Sequence, residues 1–227
     1  MIDLMVVEER PPDHGRGECD AMTPATVFVV DDDPTVRKSL ERMAGSVGYA
    51  VEAFASAEDF LAREPFVRPC CVVLDVRMPG FNGLDLQETL GRSGRRLPIV
   101  FISGHGDVSM GVEAMKRGAI DFLTKPFDAD ALLHAIERAV VRDVKDLEDE
   151  SRTADVRERI RLLTPRETEV LALVVTGMLN KQIAGELGIT EKTVKVHRAR
   201  VMEKMRAGSV AQLVHLADRA GGIVQWT

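Results

Sequence analysis

Four short β-rich runs in the 227-residue chain each stop at residues able to bind or transfer charge. VFVV is followed by Asp31, Asp32 and Asp33, CVVL by Asp75, IVFI by Ser103, and DFLT by Lys125 and Pro126. If the runs are parallel strands, these residues share the carboxyl edge of one sheet, where open α/β folds bind ligands. Clustered carboxylates repel one another, so Asp31, Asp32 and Asp75 suit a hard divalent cation with oxygen ligands, Mg2+ first. A phosphoryl group is the substrate that matches such a site. With the cation shielding its charge, a carboxylate can attack phosphorus, while Lys125 and the Ser103 hydroxyl meet the transferred oxygens. Asp33 precedes Pro34 and reads as a helix cap, not a ligand. His105, alone in a glycine-flanked loop, reads as loop structure.

The elements that must position these groups alternate. Runs at 26–30, 49–54, 70–74, 98–102 and 121–123 are separated by stretches of helical character. Strands separated by helices imply a doubly wound five-stranded parallel sheet of flavodoxin type, and the near-continuous apolar character of the runs implies burial on both faces. Residues 1–25, with Pro11, Pro12, Gly15, Gly17 and Pro24, read as a flexible leader. The α/β domain is expected over 26–141, its last helix starting near Asp128 and running on past Val141, then a solvated charged linker, helical in part, over 142–161, and a second, all-α domain over 162–227.

Composition fits this division. The chain is 45% hydrophobic and 29% charged, so it can bury two cores. No apolar stretch is long enough to cross a bilayer, and Asp3, Glu8 and Glu9 occupy the place of a positive signal-peptide start, so no membrane contact and a cytoplasmic location are expected. Cys70 and Cys71 inside a strand and Cys19 in the leader have neither metal-ligand nor disulfide spacing. The net charge of −6 hides an asymmetry: residues 1–140 carry 15 basic and 23 acidic groups, residues 141–227 carry 15 and 13.

The second domain opens on Thr164, Pro165, Arg166 and Glu167, a cap, a first-turn proline and a carboxylate placed for a capping box. Gly177 ends that helix, Asn180 is expected to cap the next, Gly188 breaks it, and Thr190 caps a longer basic helix. This is a helix-turn-helix. At about 100° per residue, Val194, Val201 and Met205 share one face of the basic helix with His197 on its flank. Lys192, Lys195, Val196 and Ala199 lie opposite, with Arg200 at the edge. Such a face suits the DNA major groove, where lysine reaches guanine and small apolar groups touch the thymine methyl. Arg198 and Lys181 are better placed for phosphates.

The motifs VVDDD (29–33), VLDVRMPGFNG (73–83), FISGHGD (101–107) and GAIDFLTKPF (118–127) resemble the response-regulator receiver domain. The segments LTPRETEVL, NKQIAGELGIT and TVKVHRARVMEKM resemble the LuxR/FixJ-type output domain, and the whole is similar to the FixJ-type subfamily. The resemblance implies Asp75 as phospho-acceptor and Asp31 and Asp32 as metal-site acids, with the Arg77 backbone carbonyl as a further ligand. It also implies Lys125 as the phosphate-binding lysine and Ser103 and Phe122 as a switch pair, although composition alone puts Phe122 in the core. The implied protein is a transcription regulator, not an enzyme, whose partners are a sensor histidine kinase, promoter DNA and RNA polymerase. Because one helix-turn-helix reads few base pairs, a homodimer formed on phosphorylation through the 107–123 surface is expected. The rival reading takes VFVVDDDPT as the motif of a haloacid-dehalogenase-type phosphatase, with Asp31 as nucleophile and Asp33 as general acid. It leaves Asp75 and the helix-turn-helix without a role.

Overall fold

A computed structural model describes residues 24–63, 65, 66, 68–104 and 108–221. The leader expected over 1–25 lies outside these except for its last two residues, as do Cys19, His105, Asp107 and the tail 222–227. The order of elements is β1 (Thr26–Val30), α1 (Pro34–Ser46), β2 (Ala50–Phe54), α2 (Ala57–Ala62), β3 (Cys70–Asp75), α3 (Gly83–Arg92), β4 (Ile99–Ser103), α4 (Val108–Lys116), β5 (Asp121–Thr124) and α5 (Ala129–Arg161). Then follow α6 (Pro165–Val175), α7 (Asn180–Leu187), α8 (Glu191–Lys204) and α9 (Val210–Arg219). The chain divides into two compact units, Met1–Ile136 and Glu137–Thr227, with the division inside α5.

The first unit is the expected all-parallel sheet, in the order β2-β1-β3-β4-β5. The three central strands are buried along their whole length, which is why their sequences are unbroken apolar runs where a half-exposed strand would alternate. Phe28, Phe60, Leu74, Leu86 and Phe101 anchor its core. Helix α1 starts as its sequence implies: Pro34 is at the first turn and the Asp33 side chain accepts from the Thr35 amide at 2.7 Å.

The segment read as a solvated linker is helical from end to end. Arg142 pairs with Asp146, Arg152 with Glu148, and Arg161 with Glu158 along the exposed faces of α5. Such exposed pairs contribute only about 0.3–0.5 kcal/mol each. What anchors the last turns is apolar: Val156 and Ile160, one helical turn apart, are buried in the second core with Leu163, Val170, Ile183, Val194, Val201 and Leu213.

In the second unit the capping box forms as its sequence implies, with Thr164 accepting from the Glu167 amide and Glu167 from the Thr164 amide. The cap of α7 is a correction. Leu179, not Asn180, is the N-cap residue, and the Gln182 side chain satisfies the Leu179 amide at 2.8 Å. Asn180 is instead the first residue of the helix. Gly188 makes the turn into α8 at φ 64°, a left-handed conformation that costs glycine nothing.

Candidate functional site

The carboxyl edge of the sheet gathers the residues that end its strands. Asp31, fully buried after β1, accepts from the Asp33 amide at 2.8 Å through Oδ1 and from Lys125 Nζ at 2.7 Å through Oδ2. Its backbone carbonyl accepts from Arg37 Nη1 at 2.6 Å, which ties α1 to this loop. Asp75 closes β3, and its Oδ1, buried and without a hydrogen-bond partner among the described residues, lies 3.6 Å from Lys125 Nζ. Asp32 is exposed at the mouth. Asp31, Asp32 and Asp75 each offer a carboxylate oxygen within 4.8 Å of the others.

Burial pushes the Asp75 carboxyl up to about 6; the Lys125 ammonium opposes that rise, Asp31 adds to it, the Arg77 amide opposes it and Asp32 adds to it. Three carboxylates thus share one lysine, and a buried acceptor among them has no hydrogen-bond partner among the described residues; both observations suit a hard cation. Asp33 differs: its carboxyl is held below the ordinary range, chiefly by the Thr35 amide it caps.

Two further strand ends complete the edge. Ser103 ends β4, buried, in register with Thr124, and its carbonyl accepts the Lys125 amide at 2.6 Å, so the serine and the lysine are fixed to one another through the backbone. Phe122 on β5 is half-buried, its ring centroid 6.3 Å from that of Phe101. Arg77 follows β3 with its side chain exposed. Gly83 is a residue the sequence reading passed over. At the start of α3, a Cβ there would clash with the Asp75 carbonyl oxygen, so only glycine lets the helix approach the end of β3 this closely. Its signal was the glycine of FNG, eight residues after Asp75 in a segment that otherwise reads as loop.

A second set of polar groups lies on the helix-turn-helix. Val194, Val201 and Met205 of the α8 segment are fully buried, whereas Lys192, Lys195, Ala199 and Arg200 are exposed and Val196 is 46% exposed. Thr190 caps the helix on the Thr193 amide. Lys195 Nζ is 3.7 Å from Glu191, Lys181 is exposed on α7, and half-buried Arg198 donates to Asn180 Oδ1 at 2.9 Å. Near the end of α8, Lys204 donates to Glu167 at 2.6 Å and to the Leu162 carbonyl at 3.0 Å; Lys204, then the Thr164 amide, holds the Glu167 carboxyl below the usual range.

Comparison with known proteins decides what these two sets belong to. Residues 27–137 match the family model of the response regulator receiver domain, and residues 161–217 match that of the bacterial regulatory proteins of the luxR family. The transcriptional regulatory protein FixJ of Rhizobium meliloti is 48% identical over 88% of this chain and 98% of its own. The chain belongs to the FixJ-type response regulators. Nodulation protein W of Bradyrhizobium diazoefficiens is 47% identical over 90% of both chains. A low-resolution structure of the response regulator StyR, 47% identical, superposes with a TM-score of 0.73 over 87% of this chain and all of that one. As a FixJ-type regulator the protein controls transcription through a receiver and a LuxR-type DNA-binding domain, and the phosphatase reading is set aside. Among the described residues no helix is long and apolar enough to cross a membrane.

Proposed function

We propose that Asp75 is the phospho-acceptor of this regulator and that a phosphohistidine of a sensor histidine kinase is its donor. The observation that carries this is the buried Asp75 Oδ1, without a hydrogen-bond partner among the described residues, beside Lys125. That oxygen forms the new bond to phosphorus as the phosphorus–nitrogen bond of the donor breaks, and the departing imidazole takes a proton from water. Lys125, already tethered to Asp31, supplies a fixed positive charge to the transferred oxygens, and Ser103 a hydroxyl. Asp31, Asp32, Asp75 and the Arg77 carbonyl would hold Mg2+, which when bound would supply positive charge to the phosphoryl oxygens. Asp31 keeps Lys125 in place and is spoken for by it, so it serves the site without attacking.

Membership of the family supports the rest of the proposal. The receiver occupies 26–141 and the output domain 162–227, with 142–161 connecting them. Phosphorylated Asp75 draws the Ser103 hydroxyl inward, Phe122 turns into the space left, and the surface of α4 and β5 becomes a homodimer interface. Two output domains then reach paired half-sites in promoter DNA in the cytoplasm, with Lys192, Lys195, Val196, Ala199 and Arg200 facing the groove and Lys181 and Arg198 at phosphates, where RNA polymerase is recruited or opposed.

Borohydride trapping of the phosphorylated protein followed by mass spectrometry tests the acceptor. The label should fall on the peptide containing Asp75, and a label on Asp31 instead would overturn the assignment.

A further inference from the structure

Asn180 is misplaced by ordinary helix logic. Asparagine is among the best N-cap residues and a poor residue inside a helix, yet here it stands one position inside α7 while Leu179, which has no side-chain cap to offer, takes the cap. Its oxygen is committed elsewhere: Asn180 Oδ1 accepts from Arg198 Nη1 at 2.9 Å, eighteen residues on, across the turn between the two helices of the motif. Among the described residues Arg198 has no carboxylate partner, and neither side chain has a second polar partner. Exposed Lys192 and Arg200 on the same helix also lack a carboxylate partner among the described residues, so what distinguishes Arg198 is that it is half-buried and held by a neutral amide. Lys195 has Glu191 within 3.7 Å and Lys204 is neutralised by buried Glu167. The pair thus presents a half-buried, uncompensated guanidinium held by a neutral amide, with the amide N–H groups and the remaining guanidinium donors unused.

We propose that Asn180 and Arg198 form a composite grip for one DNA backbone phosphate, in which Asn180 is the positioning residue and Arg198 the charge. This rests on the DNA-binding reading above. The chemistry fits a phosphodiester: the hydrogen bond places guanidinium and amide donors side by side with the amide oxygen already engaged, and in a helix-turn-helix the first helix crosses the backbone while the second enters the groove. A guanidinium fixed before it meets its anion loses less side-chain freedom on binding. A neutral holder matters, because a carboxylate in its place would fix the arginine equally well and cancel its charge.

The test uses the full-length protein with a small-molecule phosphoryl donor and a mixed-sequence DNA duplex, its affinity read by fluorescence anisotropy over a range of salt concentrations. Arg198→Ala should weaken binding and reduce the slope of log K against log salt by about 1. Asn180→Ala should weaken it roughly three- to tenfold, and should add little in the Arg198→Ala background. Asn180→Asp is the decisive variant. It keeps the acceptor and suits the first turn of α7, so urea denaturation should find it as stable as the wild type, yet its affinity and salt slope should fall toward those of Arg198→Ala. If Asn180→Asp binds as the wild type does, or if Asn180→Ala costs as much without the guanidinium as with it, Asn180 merely joins two helices and the grip is refuted. A stable wild-type protein that binds no duplex at all would sink the DNA-binding reading itself.

Discussion

Replacing Asp75 by asparagine should make the metal-free protein more stable at neutral pH while abolishing its phosphorylation. The Asp75 carboxyl is raised from the ordinary 3.8 to about 6, mainly by burial. A raised acid binds its proton more tightly in the folded state than in the unfolded chain, so folding is favoured by protonation and stability falls as pH rises between these two values. Above about pH 6 the wild type carries the full cost, close to two units at 1.36 kcal/mol each, or about 3 kcal/mol. Asparagine has the same shape and no charge to bury. Its amide still loses some hydration, which leaves a net gain of about 1–2 kcal/mol, worth several degrees in the receiver's Tm at about 4 °C or more per kcal/mol. Urea unfolding followed by circular dichroism, on wild type and Asp75→Asn in parallel from about pH 7 down to about pH 4, reads the difference directly. The gap should close on acidification. It should also narrow when Mg2+ is added at neutral pH, since the ion binds the wild-type carboxylate better and stabilises the fold by mass action. A variant less stable than wild type at neutral pH, or a gap that widens on acidification, would refute the claim that Asp75 is held at an electrostatic cost.

Other perturbations probe the remaining elements. Lys195→Ala should reduce discrimination between operator and random DNA by roughly 1–3 kcal/mol and Val196→Ala by less, measured by competition binding; equal losses on both kinds of DNA would move these residues off the groove face. Ile160→Ala should cost the second unit about 2–5 kcal/mol in urea unfolding and leave phosphotransfer to Asp75 intact, whereas no loss would mean that the end of α5 is the solvated connector its charges suggest. Gly83→Ala should slow phosphotransfer and destabilise the receiver, because the added carbon meets backbone; unchanged phosphotransfer kinetics would show that α3 can retreat without moving Asp75.

The carboxyl edge was legible because its signal is local and repeated: a run buried on both faces has no polar residue to spare, so the first one after it marks the strand end. The face of α8 was legible for a similar reason, since Val194, Val201 and Met205 repeat at helical spacing. The helical continuation of α5 past Val141 was legible in part, but the burial of its last turns was not: Val156 and Ile160 stand among many charges, and their partners lie on helices far along the chain. The cap of α7 misled because propensity favours Asn180, whereas Gln182 satisfies the Leu179 amide and Arg198 claims Asn180, a contact no sequence window spans. Arg37 likewise reads as one more charge on α1 until its donation to the Asp31 carbonyl is seen.

Among the described residues the strand order leaves β2 and β5 as the edges of the sheet, and such edges are where sheets of separate molecules join into aggregates. β5 is only four residues long, too short to template another chain. β2 is longer, and its middle residue is Glu52, gripped by Arg63 through both carboxylate oxygens at 2.6 and 2.8 Å, with the same guanidinium stacked 5.7 Å from the Phe28 ring. A strand arriving from a second molecule would have to lie against that charged clasp and strip its water. The pair is half-exposed and adds little to folding, and its consequence is colloidal: a charged, hydrated residue in the middle of an edge strand disfavours edge-to-edge pairing between molecules.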